Sequence, residues 1–323
     1  MKLGRVLSLT ACSVLAASSL FAGSSTMNFP NVYEKECQGC HGPIHQGGVG
    51  SDLRPDALKK KERHVLRDAI MNGVPNTAMP QWQHMFSKDD ADGMVDWLMD
   101  WKDNTNFKLN LEEIKGTWTK LADREELAKK YPNAVDTKSV LDVTFATERD
   151  ASLVDFIDST NGKVLSRHKA GFAVHVTVTN KTNPRYAYSI SRSGRLTMFD
   201  IAAPGQPAIA SVQVGFESRG LAVSPDGKYV IAGNYTPGGA VLCDAMTLEP
   251  LKAYDTSAVI NMDGQIEASR VASLADTPYG PYFAMALKDA GRVYLIDYSK
   301  PDFPIVGDVP NIGKVLHDAF LNE

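Results

Sequence analysis

Four times between residues 153 and 297 a short apolar run closes on an aspartate: Leu153-Val154-Asp155-Phe156-Ile157-Asp158, Leu196-Thr197-Met198-Phe199-Asp200, Val241-Leu242-Cys243-Asp244 and Val293-Tyr294-Leu295-Ile296-Asp297. Each is followed by a turn and another β-rich run, and the closing aspartates lie 42, 44 and 53 residues apart. That spacing is the length of a four-stranded propeller blade. Helical periodicity is absent from Val140 onward, and Pro225-Asp226-Gly227 ahead of Tyr229-Val230 is a hairpin turn feeding a strand. The competing reading is a β-sandwich whose strands resemble one another by accident; four copies at blade spacing favour the propeller.

The other end of the chain carries a different signal. Cys37-Gln38-Gly39-Cys40-His41 is a C-x-x-C-H run, the pattern of covalent c-type haem attachment. Two thiols on one helical turn can add to the two porphyrin vinyl groups, and the next residue offers an imidazole to the iron. A redox C-x-x-C pair would want a βαβ context, and half a zinc site would want a second C-x-x-C, which Cys12 and Cys243 do not make. Haem c on Cys37 and Cys40 with His41 as proximal ligand is therefore expected. Apolar spacing predicts a helix over 62–72 closed by Gly73, and Ser87 with Asp90 opens another that places Met94, Trp97, Leu98 and Trp101 on one face. The sixth ligand should come from the loop between them, where Thr77-Ala78-Met79-Pro80 nominates Met79 over His45, His64 and His84. A Met/His pair raises the reduction potential and suits electron transfer.

The first residues have a basic start (Lys2, Arg5), an apolar run from Val6 to Ala17 and small residues near Ala22-Gly23-Ser24. This reads as a signal peptide over 1–23, with export to the periplasm, where c-type attachment takes place. The apolar run is too short for a stable membrane span. Leu9-Thr10-Ala11-Cys12 is a rival lipoprotein box, with too little apolar core before the cysteine. A formal net charge of −4 makes nucleic acid an unsuitable partner. Residues 104–139 are charged, too poor in apolar residues for a core, and read as a linker with one or two short helices. The domains are thus 1–23, 26–103, 104–139 and 140–323, and Cys243 within its apolar run is expected to be a buried, inert thiol.

A c-type haem segment, a linker and a propeller, in that order, resemble the cytochrome cd1 family. The residues that carry the resemblance are Gly171-Phe172-Ala173-Val174-His175, similar to the family's G-Y-A-V-H, with Thr147-Glu148-Arg149, Val164-Leu165-Ser166-Arg167, Ser191-Arg192-Ser193-Gly194-Arg195, Glu217-Ser218-Arg219, Ala232-Gly233-Asn234-Tyr235 and Val315-Leu316-His317-Asp318. The resemblance implies a small α-helical class I cytochrome c domain followed by about four blades of an eight-bladed d1-type propeller. It further implies haem d1 on His175, with Arg149, Arg167, Arg192, Arg219 and Tyr235 holding the macrocycle and His317 acting on its distal face. Guanidinium groups bind carboxylates bidentately, so a ring of arginines suits a multiply carboxylated cofactor.

The implied function is a periplasmic oxidoreductase that reduces nitrite to nitric oxide, fed by a soluble small cytochrome c or a cupredoxin, with a homodimer as the assembly to test. The alternatives are a dehydrogenase in haem d1 maturation that uses haem c as acceptor, and an electron carrier whose propeller only binds a partner. One departure matters: Ala272-Ser273-Leu274-Ala275 stands where the reductase pattern is A-S-H-Y. About four blades fit between Val140 and Pro310, and Val315 to Phe320 reads as the opening strand of another. Such an open arc is not expected to turn over nitrite at a normal rate by itself.

Overall fold

The computed structural model describes residues 27–42, 44–45, 47, 50–102 and 109–318; the signal peptide read at 1–23 lies outside them. Helical residues Phe29–Val32, a π-helical turn Tyr33–Cys37 and Gln38–His41 run into one another and carry the C-x-x-C-H motif. Arg63–Asn72 ends at Gly73, whose φ of +69° lies in a region that favours glycine. A Cβ there would also strike the Met79 carbonyl oxygen at 2.7 Å, so the glycine lets the Met79 loop fold back on the helix end. Lys88–Asp100 starts on a capping box between Ser87 and Asp90 and buries Ala91, Met94, Val95 and Leu98. Arg63 ties the two helices together by donating to Asp92 at 2.8 Å and to Asp96 at 2.9 Å.

From Val143 the chain builds four blade-like antiparallel sheets and a small two-stranded one, Val259–Ile260 with Ile266–Glu267. The first has strands Val143–Glu148, Leu153–Asp158 and Lys163–Lys169; the second Val174–Thr179, Tyr186–Ser191, Arg195–Asp200 and Ala208–Gln213. The third has Glu217–Val223, Tyr229–Thr236, Gly239–Asp244 and Pro250–Asp255; the fourth Val271–Asp276, Tyr282–Leu287, Arg292–Asp297 and Ile305–Val309. Sequential hydrogen bonding from an inner to an outer strand makes each sheet a blade. Apolar clusters join them face to face: Val154, Phe156, Val174 and Phe199 between the first and second, Tyr188, Met198, Val230 and Val241 between the second and third, Leu242, Phe283 and Met285 between the third and fourth. Among the described residues no such cluster joins the fourth sheet to the first, so the blades form an open arc and not a small closed ring.

The aspartate repeat has a physical cause. Asp158, Asp200, Asp244 and Asp297 each end the strand before the outermost one and accept backbone N–H groups two residues on, from Thr160, Ala202, Met246 and Ser299 at 2.7 to 3.1 Å. The side chain thereby closes the turn that starts the last strand. Cys243 is fully buried between the second and third blades, where desolvation pushes its thiol well above the ordinary range.

The segment expected as a linker is more than a tether. It does form two short helices, Leu111–Gly116 and Arg124–Lys130, but Thr119–Lys120 pairs antiparallel with Ser211 and Ala210 as a fifth strand on the second blade. The Trp118 indole donates to the Thr247 carbonyl at 3.0 Å, and Arg185, itself paired with buried Asp200, donates to the Tyr131 carbonyl. Its few apolar residues, Leu109, Ile114, Trp118 and Leu127, are spent on the blade core. At the other end, residues 311–318 form no strand where a blade opening was expected; Val315 sits at φ +57°, and Ala319 and Phe320 lie outside the described residues.

Candidate functional site

Two sites emerge, one in each region. In the first, His41 is buried, and its Nδ1–H donates to the Ser51 carbonyl at 2.7 Å. That bond fixes ring and tautomer and leaves Nε2 for a metal, the usual arrangement around a ligating histidine. Gly50 makes room for the imidazole: a Cβ there would lie 2.7 Å from the ring. Cys37 and Cys40 are both free thiols on the same turn. The helix Arg63–Asn72 buries no residue fully, although Leu66, Ile70 and Met71 point toward the core cluster. A helix with a partly covered apolar stripe beside the C-x-x-C-H turn offers a face on which a macrocycle can pack, so the residues present fit haem c.

Met79 is half-buried, and the Thr77 hydroxyl accepts its backbone N–H at 3.2 Å. The three competing imidazoles are otherwise engaged. His45 is buried among Tyr33, Trp97 and Trp101, His64 is exposed and paired with Glu62, and His84 stacks on Trp82.

The second site forms where the inner strands of the second, third and fourth blades meet. Register shifts flank His175 on its strand, Asn234 to Thr236 around Tyr235, and Ala272 on the fourth blade's inner strand. Bulges of this kind re-aim side chains, and here they turn His175, Tyr235 and Ala272 into one cavity that Arg219, Leu274, His317 and Asp318 also line. The His175 Nδ1–H donates to the Arg219 carbonyl at 3.0 Å, which again leaves Nε2 free. Burial, followed by the positive charges of Arg219, Arg192 and Arg149, holds this histidine below its ordinary value, against the opposing effect of the carbonyl bond. A neutral imidazole is the form that binds iron.

Three of the four expected arginines therefore act on His175. Arg219 is on the third blade's inner strand, whereas Arg149 and Arg192 stand in the equivalent turns of the first and second blades. Arg192 is itself held below its usual range by burial and by the charges of Arg219 and Arg149. Arg219 and Arg192 share a single carboxylate, Glu217, at 3.0 and 3.6 Å, which leaves guanidinium charge over for an anionic ligand. The Arg219 Nε is buried and has no acceptor, an open donor beside the cavity. Tyr235 lies between the guanidiniums of Arg219 and Arg270, 4.8 and 5.2 Å from its ring centre. These residues fit a carboxylated macrocycle, although the cavity itself is only about 120 Å³, so the described blades supply part of its envelope.

Arg167 is not brought to this group. It sits on the outermost strand of the first blade, more than half exposed, and pairs with Asp155 at 3.1 Å. The family resemblance grouped it with the other arginines, but side chains alternate along a strand and outer strands face away from the ring centre. Sequence reasoning missed Glu217 and Arg270, two residues before Arg219 and one before the fourth inner strand; position relative to the inner strands was the available signal. It also missed Phe172, whose ring takes the space beside Gly39: a Cβ on that glycine would lie 3.1 Å from Phe172 Cε2. The middle of the C-x-x-C-H motif thus touches the strand entrance that leads to His175.

The family model described as Cytochrome D1 heme domain matches residues 138–323, and that of the cbb3-type cytochrome c oxidase subunit III matches 26–98. The chain belongs to the cytochrome d1 haem domain family. Its cofactors are haem c in the first region and haem d1 in the propeller. It is 27% identical over 313 residues to a nitrite reductase of Stutzerimonas stutzeri, covering 89% of this chain and 53% of that protein. It is 28% identical over 275 residues to the dihydro-heme d1 dehydrogenase of Pseudomonas aeruginosa, covering 84% and 54%. A solved structure of dihydro-heme d1 dehydrogenase NirN in complex with DHE superposes with a TM-score of 0.62 at 26% identity, over 87% of this chain and 58% of that one. The chain spans about half the length of these relatives, which are oxidoreductases of two kinds. Among the described residues no helix is long and apolar enough to cross a membrane.

Proposed function

We propose that this protein moves electrons between haem c, held by Cys37, Cys40, His41 and Met79, and haem d1, held on His175 with Arg149, Arg192, Arg219 and Tyr235. The observation that carries the reading is the neutral His175 at the centre of three arginines, on one cavity wall with His317. Haem d1, when bound, supplies a redox-active iron at which a small anion can be reduced. His317 serves as the proton carrier: it lines the cavity, and its Nδ1 lies 3.0 Å from the Asp318 carboxylate.

With nitrite as substrate, one electron arriving through haem c and two protons, one of them from His317, convert it to nitric oxide and water. A soluble cytochrome c or cupredoxin is the donor, and the signal peptide places the reaction in the periplasm. One feature favours the second reading, a dehydrogenase for which the d1-type macrocycle is the substrate. Leu274 lines the cavity where the reductase pattern has a histidine, so besides His175 one imidazole faces it among the described residues. Removing two hydrogens from the macrocycle releases two protons and two electrons; haem c would take the electrons one at a time, reoxidised between them by a soluble electron carrier, and His317 would take up the protons singly and pass them to solvent.

The test is to load the full chain with haem d1 or its dihydro form. Nitric oxide release from nitrite with a reduced donor supports the reductase, and reduction of haem c on addition of the dihydro macrocycle supports the dehydrogenase. Neither outcome, with both haems bound, overturns the proposal.

A further inference from the structure

Arg149, Arg192 and Lys288 occupy one structural position. Each directly follows the strand that precedes an aspartate-closed strand: Val143–Glu148, Tyr186–Ser191 and Tyr282–Leu287. The backbone agrees, since the Arg192 N–H donates to the Ala173 carbonyl just before its blade's inner strand, and the Lys288 N–H donates to the Arg270 carbonyl just before the fourth. In the first two blades this cation acts on His175. In the fourth it is almost fully buried, at 8% exposure, and does something else.

The Lys288 ammonium donates to the Leu316 carbonyl at 3.3 Å, and the Leu316 N–H donates to the Lys288 carbonyl at 3.1 Å. The residue after Leu316 is His317. We propose that Lys288 is a positioning residue, a latch that holds residues 312–318 against the fourth blade and so sets His317 over the cavity. The surroundings are built for that contact. Ile312 N–H bonds the Gly291 carbonyl at 3.0 Å, Lys314 pairs with Asp263 at 3.1 Å, and a Cβ on Gly291 would strike the Gly313 carbonyl oxygen at 2.6 Å. Next to Lys288, Asp289 forks onto Arg270, the guanidinium that stacks on Tyr235, so the latch and the cavity wall share one turn. A buried lysine that gave up its carbonyl would leave an unpaired charge, and this opposes release of the segment.

The proposal rests on the reading in which His317 acts in the cavity, and the experiment separates the two. In the full chain, Lys288→Met keeps the length of the stem and removes the donor; Lys288→Arg keeps a donor. Amide exchange at Leu316 and Ile312 should quicken about tenfold in Lys288→Met and return most of the way in Lys288→Arg, with both haems still bound. Turnover of the d1-loaded protein should fall in Lys288→Met to the level of His317→Ala, and the double variant should lose nothing more. Unchanged exchange in Lys288→Met overturns the latch. If exchange quickens while His317→Ala is silent, the latch stands and the role of His317 falls. Should Lys288→Met fail to fold, Lys288→Gln, which removes the charge but keeps a shorter polar side chain, decides: faster exchange at Ile312 and Leu316 than in the parent supports the latch, and parent-like exchange contradicts it.

Discussion

The two haem sites solve the same problem in opposite ways. The proposed haem c site is written in five consecutive residues on one helical stretch, and among the described residues Ser51, Gly50 and the Met79 loop complete it. The proposed haem d1 site is drawn from four blades and residues 312–318: Arg149, Arg192, His175, Arg219, Tyr235, Leu274 and His317 span about half the chain. A covalent site tolerates a thin shell because two thioether bonds hold the group whatever the surrounding packing does. A non-covalent site has to spread the binding over many weak contacts, so it needs several elements in register. The shared device is second-order: in both sites a backbone carbonyl, of Ser51 or of Arg219, takes the Nδ1 proton and frees Nε2.

That contrast predicts a graded set of losses. The largest comes from Cys40→Ala, which should abolish the haem stain that survives denaturation in the full chain while d1 binding persists; loss of both groups together would mean the two sites are not separate. Next, Arg219→Gln removes a charge-assisted donor and should weaken d1 binding by roughly 2 kcal/mol, about thirtyfold, whereas Arg167→Gln should change it less than about twofold. Equal effects in the two titrations would return Arg167 to the site. A smaller effect is expected at the place where the regions touch. Phe172→Ala leaves a gap beside Gly39 and should lower the urea stability of the full chain by about 2 kcal/mol, less than the truncation of a fully buried phenylalanine.

A pH effect is confined to the first region. Burial holds the His45 imidazole down to about 4, with the charge of His41 pushing the same way and Asp52 opposing. The unfolded chain takes up that proton near pH 6.5 and the folded chain does not until near pH 4. Stability is therefore present above pH 6.5 and declines as the pH falls between the two values. His45→Phe should flatten the decline in thermal melts monitored at the haem c band, and parallel curves for the two proteins would remove His45 from the account.

How much of this was legible in the sequence follows the same division. Contiguous signals were readable: the C-x-x-C-H motif, the Ser87-Asp90 cap, and the closing aspartates, because each is a local interaction with a fixed spacing. The blades came out of the aspartate period because one turn chemistry repeats. What did not show was anything decided by which strand of a blade a residue lands on. Arg167 and Arg219 look alike in sequence, yet one lies on an outer strand beside Asp155 and the other on an inner strand beside His175. The docked linker was missed for a related reason. Trp118 and Ile114 are too few to form a core of their own, and nothing local shows that they complete the core of another element.

The central claim is that haem d1 sits on His175 independently of haem c. The most direct test is the visible spectrum of the full chain carrying both groups, compared with that of His175→Ala. The account predicts that the red band of haem d1 disappears on gel filtration of the variant while the haem c bands keep their intensity and position. A d1 band of full intensity with unaltered iron spectra in His175→Ala would contradict it.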